Sequence, residues 1–553
     1  MRNQKEVIIH NATVADGTGG PCFQADVSLS GGNISRISRK APEGAKSAKT
    51  GDDRAFIREG PSQIEIDGAG LVLTPGFIDN HGHSDVQLFH DPSVFNKAEQ
   101  GITTEISGMC GVTMAPVNPH YFRELREYVE PFTGSARMPE TEDWRSMTGF
   151  DAYLQHVEAL QLGINMAFFV GHGTLRIAAM GLEERDPGPG DLDTMCGLLR
   201  EAMDSGARGM SAGLVYSPGI YSKTEELIFL CRTVAEYDGV FSVHLRNESD
   251  GILKALEEAL NIARASGVRL VLSHHKIGGL LNRGLSRETL AMVESARAEG
   301  LDVALDQYPY TSAASILSVT IPARFLSGGT AGLLKRLADS GQRREIAAAM
   351  ERPDPSWDSF IRSCGYDGIS IVACDGAPEA VGQTVAQIAG NRGCTGPEAI
   401  MDLLLRSEGK AGAVYRMTNE EDLERIMKYP QTMMGTDGEI YTESGLSHPR
   451  LFGTVPRILG RYVREKKVLT LEAAVRKMTS LPAKTAGLSR KGLVREGFDA
   501  DLVLLDPKRI IDHATYGQPT LGNDGIAAVL INGRISVLQG RQTDQRPGRV
   551  LRR

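Results

Sequence analysis

Eight short segments in the middle of the chain are apolar at nearly every position. They lie in GFIDNHGH, ITTEISGMC, INMAFFVGHG, ARGMSAGLVY, VFSVHLRNE, RLVLSHHK, LDVALDQYPY and QTMMGTDGE. A strand with one face in water alternates, so a strand that is apolar throughout is buried on both faces, as in a parallel sheet covered by helices. Helical spacing separates several of these segments: Ile252, Leu256, Ala259 and Ala263 recur on one face after the fifth, and Leu285 to Glu299 does the same after the sixth. Eight strands alternating with helices predict an α/β fold, a (β/α)8 TIM-like barrel. Seven of the eight segments finish on His, Cys, Tyr or Asp, which puts those side chains at the C-terminal mouth, where such barrels carry their chemistry.

The two ends of the chain have a different texture. The first 70 or so residues are short apolar runs (VIIHNATV, ADVSLSGGNISRI, SQIEIDGAGLVL) broken by Gly, Asn and Asp, the pattern of antiparallel strands with tight turns. GFDADLVLLD and GIAAVLINGRISVLQGR repeat it near the C-terminus, with a hairpin signal at Asn532-Gly533. A small β-sandwich built from both termini, residues 1–70 and 489–553, is expected beside a barrel of residues 71–488. Two stretches exceed ordinary loops, Asn118 to Phe150 and Ser312 to about Asp367. The second, about 312–367, reads as an insertion before the last barrel strand, a lid or substrate wall.

Charge and cysteine usage narrow the partners. Lys and Arg number 61 against 69 Asp and Glu, a net charge of −8, so there is no broad cationic field for nucleic acid or an anionic membrane surface. The N-terminus lacks the apolar core of a signal peptide and no stretch approaches ~18 apolar residues, so a cytoplasmic protein with a small-molecule partner is expected. Seven cysteines, an odd number widely scattered, read as thiols rather than a disulfide framework.

His81 and His83 follow the first segment two residues apart, so both imidazoles share one face and can reach one metal ion. Cys110 closes the second segment between glycines; alone it would read as a structural thiol. His244 ends the fifth segment and His274 the sixth, each alone more often a hydrogen-bonded core histidine. Asp437 ends the eighth and alone could be a helix N-cap. Together the six fall at the ends of strands one, one, two, five, six and eight. Imidazole, thiolate and carboxylate suit Zn(II), and six donors suit two ions or one tight ion with a weaker neighbour.

HGH after strand one, a His after strands five and six and an Asp after strand eight resemble the amidohydrolase superfamily. GMCG, HLRNE, SHHK, YPYT, GTDG and HPRLFGTVPRILG resemble, more closely, its D-aminoacylase (N-acyl-D-amino-acid deacylase) family, over nearly the whole chain. The resemblance implies zinc-dependent hydrolysis of the amide bond of N-acyl-D-amino acids. It further implies that Cys110, His244 and His274 hold a tight zinc, that His81, His83 and Asp437 define a weaker second position, and that Asp437 is the catalytic proton acceptor. The preference for the D configuration comes from the resemblance alone.

An N-acyl amino acid carries a free carboxylate, for which Lys276 and Arg450 are the candidate cations; surface ion pairing is the alternative. Tyr216 and either Tyr308 or Tyr310 are candidate hydroxyl donors, with rim packing as the alternative. His172 and Arg176 could touch substrate or shape a loop; His275, Met433 and Met434 read as structural. Two other classes compete. A cyclic amide or imide hydrolase of hydantoinase or dihydroorotase type would carry a bridging carbamylated lysine, and only Lys276 lies near a matching strand end. A non-catalytic paralogue would have lost donors, and all six are here.

Overall fold

The eight apolar segments form parallel strands β1 (Phe77–Asp79), β2 (Ile102–Ser107), β3 (Asn165–Phe168, resuming at Val170–Gly171), β4 (Gly209–Gly213), β5 (Val240–His244), β6 (Arg269–Leu272), β7 (Val303–Gln307) and β8 (Thr432–Met434). The structure, a computed structural model, describes residues 5–40, 56–85, 87–132, 138, 140–354, 357–438 and 446–553. Successive strands pair in parallel from β1 to β8, the two halves of β3 pairing with β2 and β4 respectively. The ring closes just past the last strand, where Gly82 bridges Gly438 in parallel and the Asp437 N–H donates to the His81 carbonyl at 2.8 Å. The strands are buried on both faces, as their composition demands, and the helix Ile252–Ser266 buries Ile252, Leu256, Ala259 and Ala263 against them.

Both chain ends contribute to one ten-stranded sheet. In its strand Leu502–Leu505, Leu502 and Leu504 point into the sheet's own core, while Val503 and Leu505 join the barrel core. That double burial explains a run apolar at every position within an antiparallel sheet. The turn at Asn532 (φ 48°) and Gly533 (φ 76°) joins paired strands, as its Asn-Gly sequence requires.

Two expected boundaries move. The strand Val72–Pro75 pairs within the terminal sheet, so that sheet extends past residue 70. The insertion extends past 367, because Ala313–Ile316, Ile369–Ala373 and Gly412–Tyr415 form one antiparallel sheet, with Gly412–Tyr415 in the middle. Strands of four or five residues far apart in sequence carry no local marker of their pairing, which tertiary packing decides. Among the described residues no helix is long and apolar enough to cross a membrane.

Candidate metal centre

The six residues singled out as donors converge at the C-terminal mouth. Cys110 Sγ lies 3.4 Å from His81 Nε2, 3.4 Å from His274 Nε2 and 3.9 Å from His244 Nδ1. Asp437 Oδ1 lies 3.5 Å from His81 Nε2 and 3.4 Å from His83 Nε2. Two donor groups result, each with its ligand atoms within 4.8 Å of one another: His81, His83, Cys110 and Asp437, and Cys110, His244 and His274. Cys110 belongs to both.

The backbone is bent to achieve this. Cys110 (φ 52°), His274 (φ 34°) and Asp437 (φ 50°) adopt left-handed conformations that non-glycine residues seldom take, and such outliers persist where surrounding structure over-determines them. The glycines beside Cys110 are needed for the same bend: a Cβ on Gly108 would lie 2.2 Å from the Phe169 carbonyl oxygen, and one on Gly111 would lie 2.8 Å from the Gly213 nitrogen.

Carboxylates behind the donors fix their orientation, a role the sequence did not reveal. Asp306, on β7, meets His81 Nδ1 at 3.2 Å and accepts the His274 backbone N–H at 2.5 Å. Glu248 meets His274 Nδ1 at 3.1 Å and takes both of its 2.7 Å contacts from Lys276. Asp358, from the insertion, accepts the Glu248 backbone N–H at 2.7 Å and so ties that wall to the metal-side loop. The one available signal for Asp306 is an acid in the otherwise apolar run VALDQ; Glu248 lies inside the HLRNE motif without a distinguishing pattern.

Three of the four donor imidazoles are held neutral. Burial lowers the pKa of His244 and of His274 well below 6.5, and burial lowers that of His83 as well, so these imidazoles are neutral. Burial acts the same way on His81, but Asp306 and Cys110 outweigh it and raise that pKa well above 6.5. Burial opposes ionisation of Asp437, yet the Arg450 guanidinium and a contact with His83 hold its carboxyl well below the ordinary carboxylate range.

The substrate-side candidates gather next to this cluster. Arg450 Nη1 donates to Asp437 Oδ2 at 2.6 Å, and its guanidinium lies 4.8 Å from the centre of the Tyr308 ring. Lys276 Nζ lies 5.9 Å from the same ring, with its ammonium shared between Glu248 and His274 Nδ1. Among the described residues the buried Tyr308 hydroxyl has no hydrogen-bond partner, whereas Tyr310 donates to the Pro449 carbonyl, so Tyr308 is the one beside Arg450 and Lys276. Tyr216 sits edge-on 5.4 Å from the His244 ring and pairs its hydroxyl with Ser315 at 2.9 Å. His448, which the sequence did not single out, accepts the Arg450 backbone N–H at 3.0 Å and meets the Ser312 carbonyl at 3.0 Å. His172 and Arg176 both bind Glu226, and His275 contacts Thr289 at 3.0 Å, away from the cluster.

Zinc fits this donor set. A buried thiol with two neutral imidazoles matches its preference for sulfur and nitrogen, and His83 Nε2 and Asp437 Oδ1, both buried, have no hydrogen-bond partner among the described residues.

Comparison with known proteins agrees. The Amidohydrolase family profile matches residues 65–537. Two proteins of Alcaligenes xylosoxydans xylosoxydans are similar over almost their full lengths: an N-acyl-D-glutamate deacylase, 36% identical over 100% of this chain and 98% of the relative, and a D-aminoacylase, 34% identical over 99% and 98%. The crystal structure of N-acyl-D-glutamate deacylase from Bordetella bronchiseptica, complexed with zinc and a phosphonate mimic of the tetrahedral intermediate, superposes with a TM-score of 0.79 at 34% identity, covering 100% of both chains. Fold, donor set and full-length similarity coincide, and the chain belongs to the D-aminoacylase (N-acyl-D-amino-acid deacylase) family of the amidohydrolase superfamily.

Proposed function

We propose that this protein hydrolyses the amide bond of N-acyl-D-amino acids, releasing a D-amino acid and a carboxylate. The observation that carries the reading is an ionised carboxylate, Asp437, 3.5 Å from His81 of a donor cluster that shares Cys110 between two possible ion positions. Cys110, His244 and His274 would hold the zinc, which would supply Lewis acidity toward the scissile carbonyl and the attacking water. Asp437 accepts the proton of that water and returns it to the leaving nitrogen, without which the amine cannot depart. Arg450 and Tyr308, with the positive charge of Lys276 behind them, receive the substrate carboxylate; Tyr216 or Tyr308 donates to the developing oxyanion.

His81, His83 and Asp437 would form the second, weaker ion position, since that set includes the less enclosed His83 and relies on a carboxylate already engaged by Arg450. The terminal β-strands act as a scaffold beside the barrel, and residues from about 312 onward supply a substrate wall. A cyclic amide hydrolase is less well supported: Cys110 occupies the shared position that a carbamylated lysine would fill, and Lys276 is held by Glu248.

The test is a panel of paired N-acetyl-D- and N-acetyl-L-amino acids on protein of measured zinc content. Hydrolysis confined to the D series is expected. Equal turnover of the L series, or none on any substrate at full zinc occupancy, would overturn the reading.

A further inference from the structure

Beside the metal cluster lies a cavity of about 60 Å³, room for a few methyl- or water-sized groups. Two tyrosines form its wall on the metal side. Tyr128 donates its hydroxyl to the carbonyl of Gly111, the residue after Cys110, at 3.1 Å, and Tyr216 stands 5.4 Å from His244 and 5.1 Å from Phe132. Beyond them the lining is mainly hydrocarbon, including Ile316, Val319 and Leu326 from the insertion. Among the described residues that line it, none is basic and the one charged side chain is Glu127, itself an acid.

Resting on the deacylase reading, we propose that this cavity receives a hydrocarbon group flanking the scissile amide, so that the enzyme prefers N-acyl-D-amino acids with an apolar substituent over those with an acidic side chain. A carboxylate placed here would be desolvated with no cation among the described lining residues to meet it and with Glu127 repelling it, whereas a branched or aromatic group would displace water from apolar walls. This separates the chain's specificity from that of the N-acyl-D-glutamate deacylases to which it is 34–36% identical. The group has two possible sources, the amino-acid side chain and the acyl chain, and both present the same chemistry to these walls.

The experiment compares kcat/KM of the zinc-loaded enzyme on N-acetyl-D-leucine, N-acetyl-D-glutamate, N-acetyl-D-alanine and N-hexanoyl-D-alanine. The leucine or the hexanoyl derivative should exceed N-acetyl-D-alanine at least tenfold, and whichever does so identifies the source; the glutamate derivative should trail the better of the two by about 100-fold or more. Leu326→Lys, at a half-buried position, should erase that advantage. Glutamate equal to or better than the apolar substrates, or no gain from either apolar extension, overturns the proposal. If no substrate is hydrolysed at full zinc occupancy, the deacylase reading fails separately. Calorimetric binding then decides on the cavity: N-acetyl-D-leucine and N-hexanoyl-D-alanine both binding no tighter than N-acetyl-D-glutamate overturns it, and either binding tighter supports it.

Discussion

Replacing Asp437 with Asn tests the chemistry with little disturbance of the backbone. The backbone at this position has φ 50°, and Asn is among the few non-glycine residues that tolerate it, so Asp437→Asn adds no strain. The N–H bond to the His81 carbonyl at 2.8 Å is untouched, and the carboxamide oxygen can still accept from Arg450 Nη1. What is lost there is the charge that compensates buried Arg450, up to about 3–5 kcal/mol of a folding stability that is typically 5–15 kcal/mol, which the thermal melt reads. The catalytic loss is separate. A carboxamide cannot take the proton of the attacking water, and loss of a general base costs about 10² to 10⁴ in kcat, or roughly 3 to 5 kcal/mol of barrier.

The assay is steady-state kinetics with metal analysis and a thermal melt on the same preparation. Zinc is expected at one equivalent, because Cys110, His244 and His274 do not depend on Asp437, and KM is expected within a fewfold of wild type. A kcat within tenfold of wild type would refute the assignment of Asp437 as the base. Loss of activity only in proportion to loss of zinc would make Asp437 a ligand first and remove the argument for proton transfer.

Cys110→Ala or His274→Ala should remove most of the zinc together with activity, and His81→Ala should leave the zinc of the Cys110 set in place; metal analysis showing full occupancy in the first two variants would exclude that set. Glu248→Gln leaves the Lys276 charge uncompensated behind His274, so zinc affinity measured against a competing chelator should fall 10- to 100-fold, and unchanged affinity would deny Glu248 its orienting role. Asp85 is buried, and burial together with the nearby Glu105 pushes its carboxyl up from 3.8 to about 7. The folded state therefore holds a proton that the unfolded state releases between pH 3.8 and 7, and stability falls as pH rises through that window. Asp85→Asn should match wild type near pH 4 and exceed it above pH 7 by about 4 kcal/mol at most; a pH-independent difference in chemical denaturation would reject the assignment.

The donors were legible because each ends an apolar run: a His, Cys or Asp at the close of a doubly buried strand has few places to go except the barrel mouth. Asp306 and Glu248 were not, since their roles depend on which strand lies beside which. Asp306 acts on His81 across the barrel and on the backbone of His274 next door, contacts 225 and 32 residues away in sequence. The left-handed backbone at Cys110, His274 and Asp437 was equally hidden, because propensity speaks against it and only the assembled site enforces it. The terminal strands were recognisable by their turns, and the run ending at Leu73 was among them, but Val72–Pro75 leads directly into β1 with one residue between them, so no turn marks where the terminal sheet ends.

Barrel closure and the assembly of one donor group turn out to be the same event. Strand β8 has three residues and pairs fully with β7, but on its β1 side the backbone pairing among the described residues is the Gly82–Gly438 bridge and the bond from Asp437 N–H to His81. Side chains complete that seam: Asp79 accepts the Thr436 N–H at 2.9 Å and its hydroxyl at 2.6 Å, and buried Lys97 ties Asp79, Thr436 and Glu105 together at 2.6, 2.7 and 3.1 Å. His81, His83 and Asp437 all sit on this seam, whereas Cys110, His244 and His274 follow β2, β5 and β6, within the continuous ladder. Weakening the Lys97 cluster should therefore disperse His81, His83 and Asp437 while sparing Cys110, His244 and His274, a structural reason for the difference in strength proposed between the two ion positions.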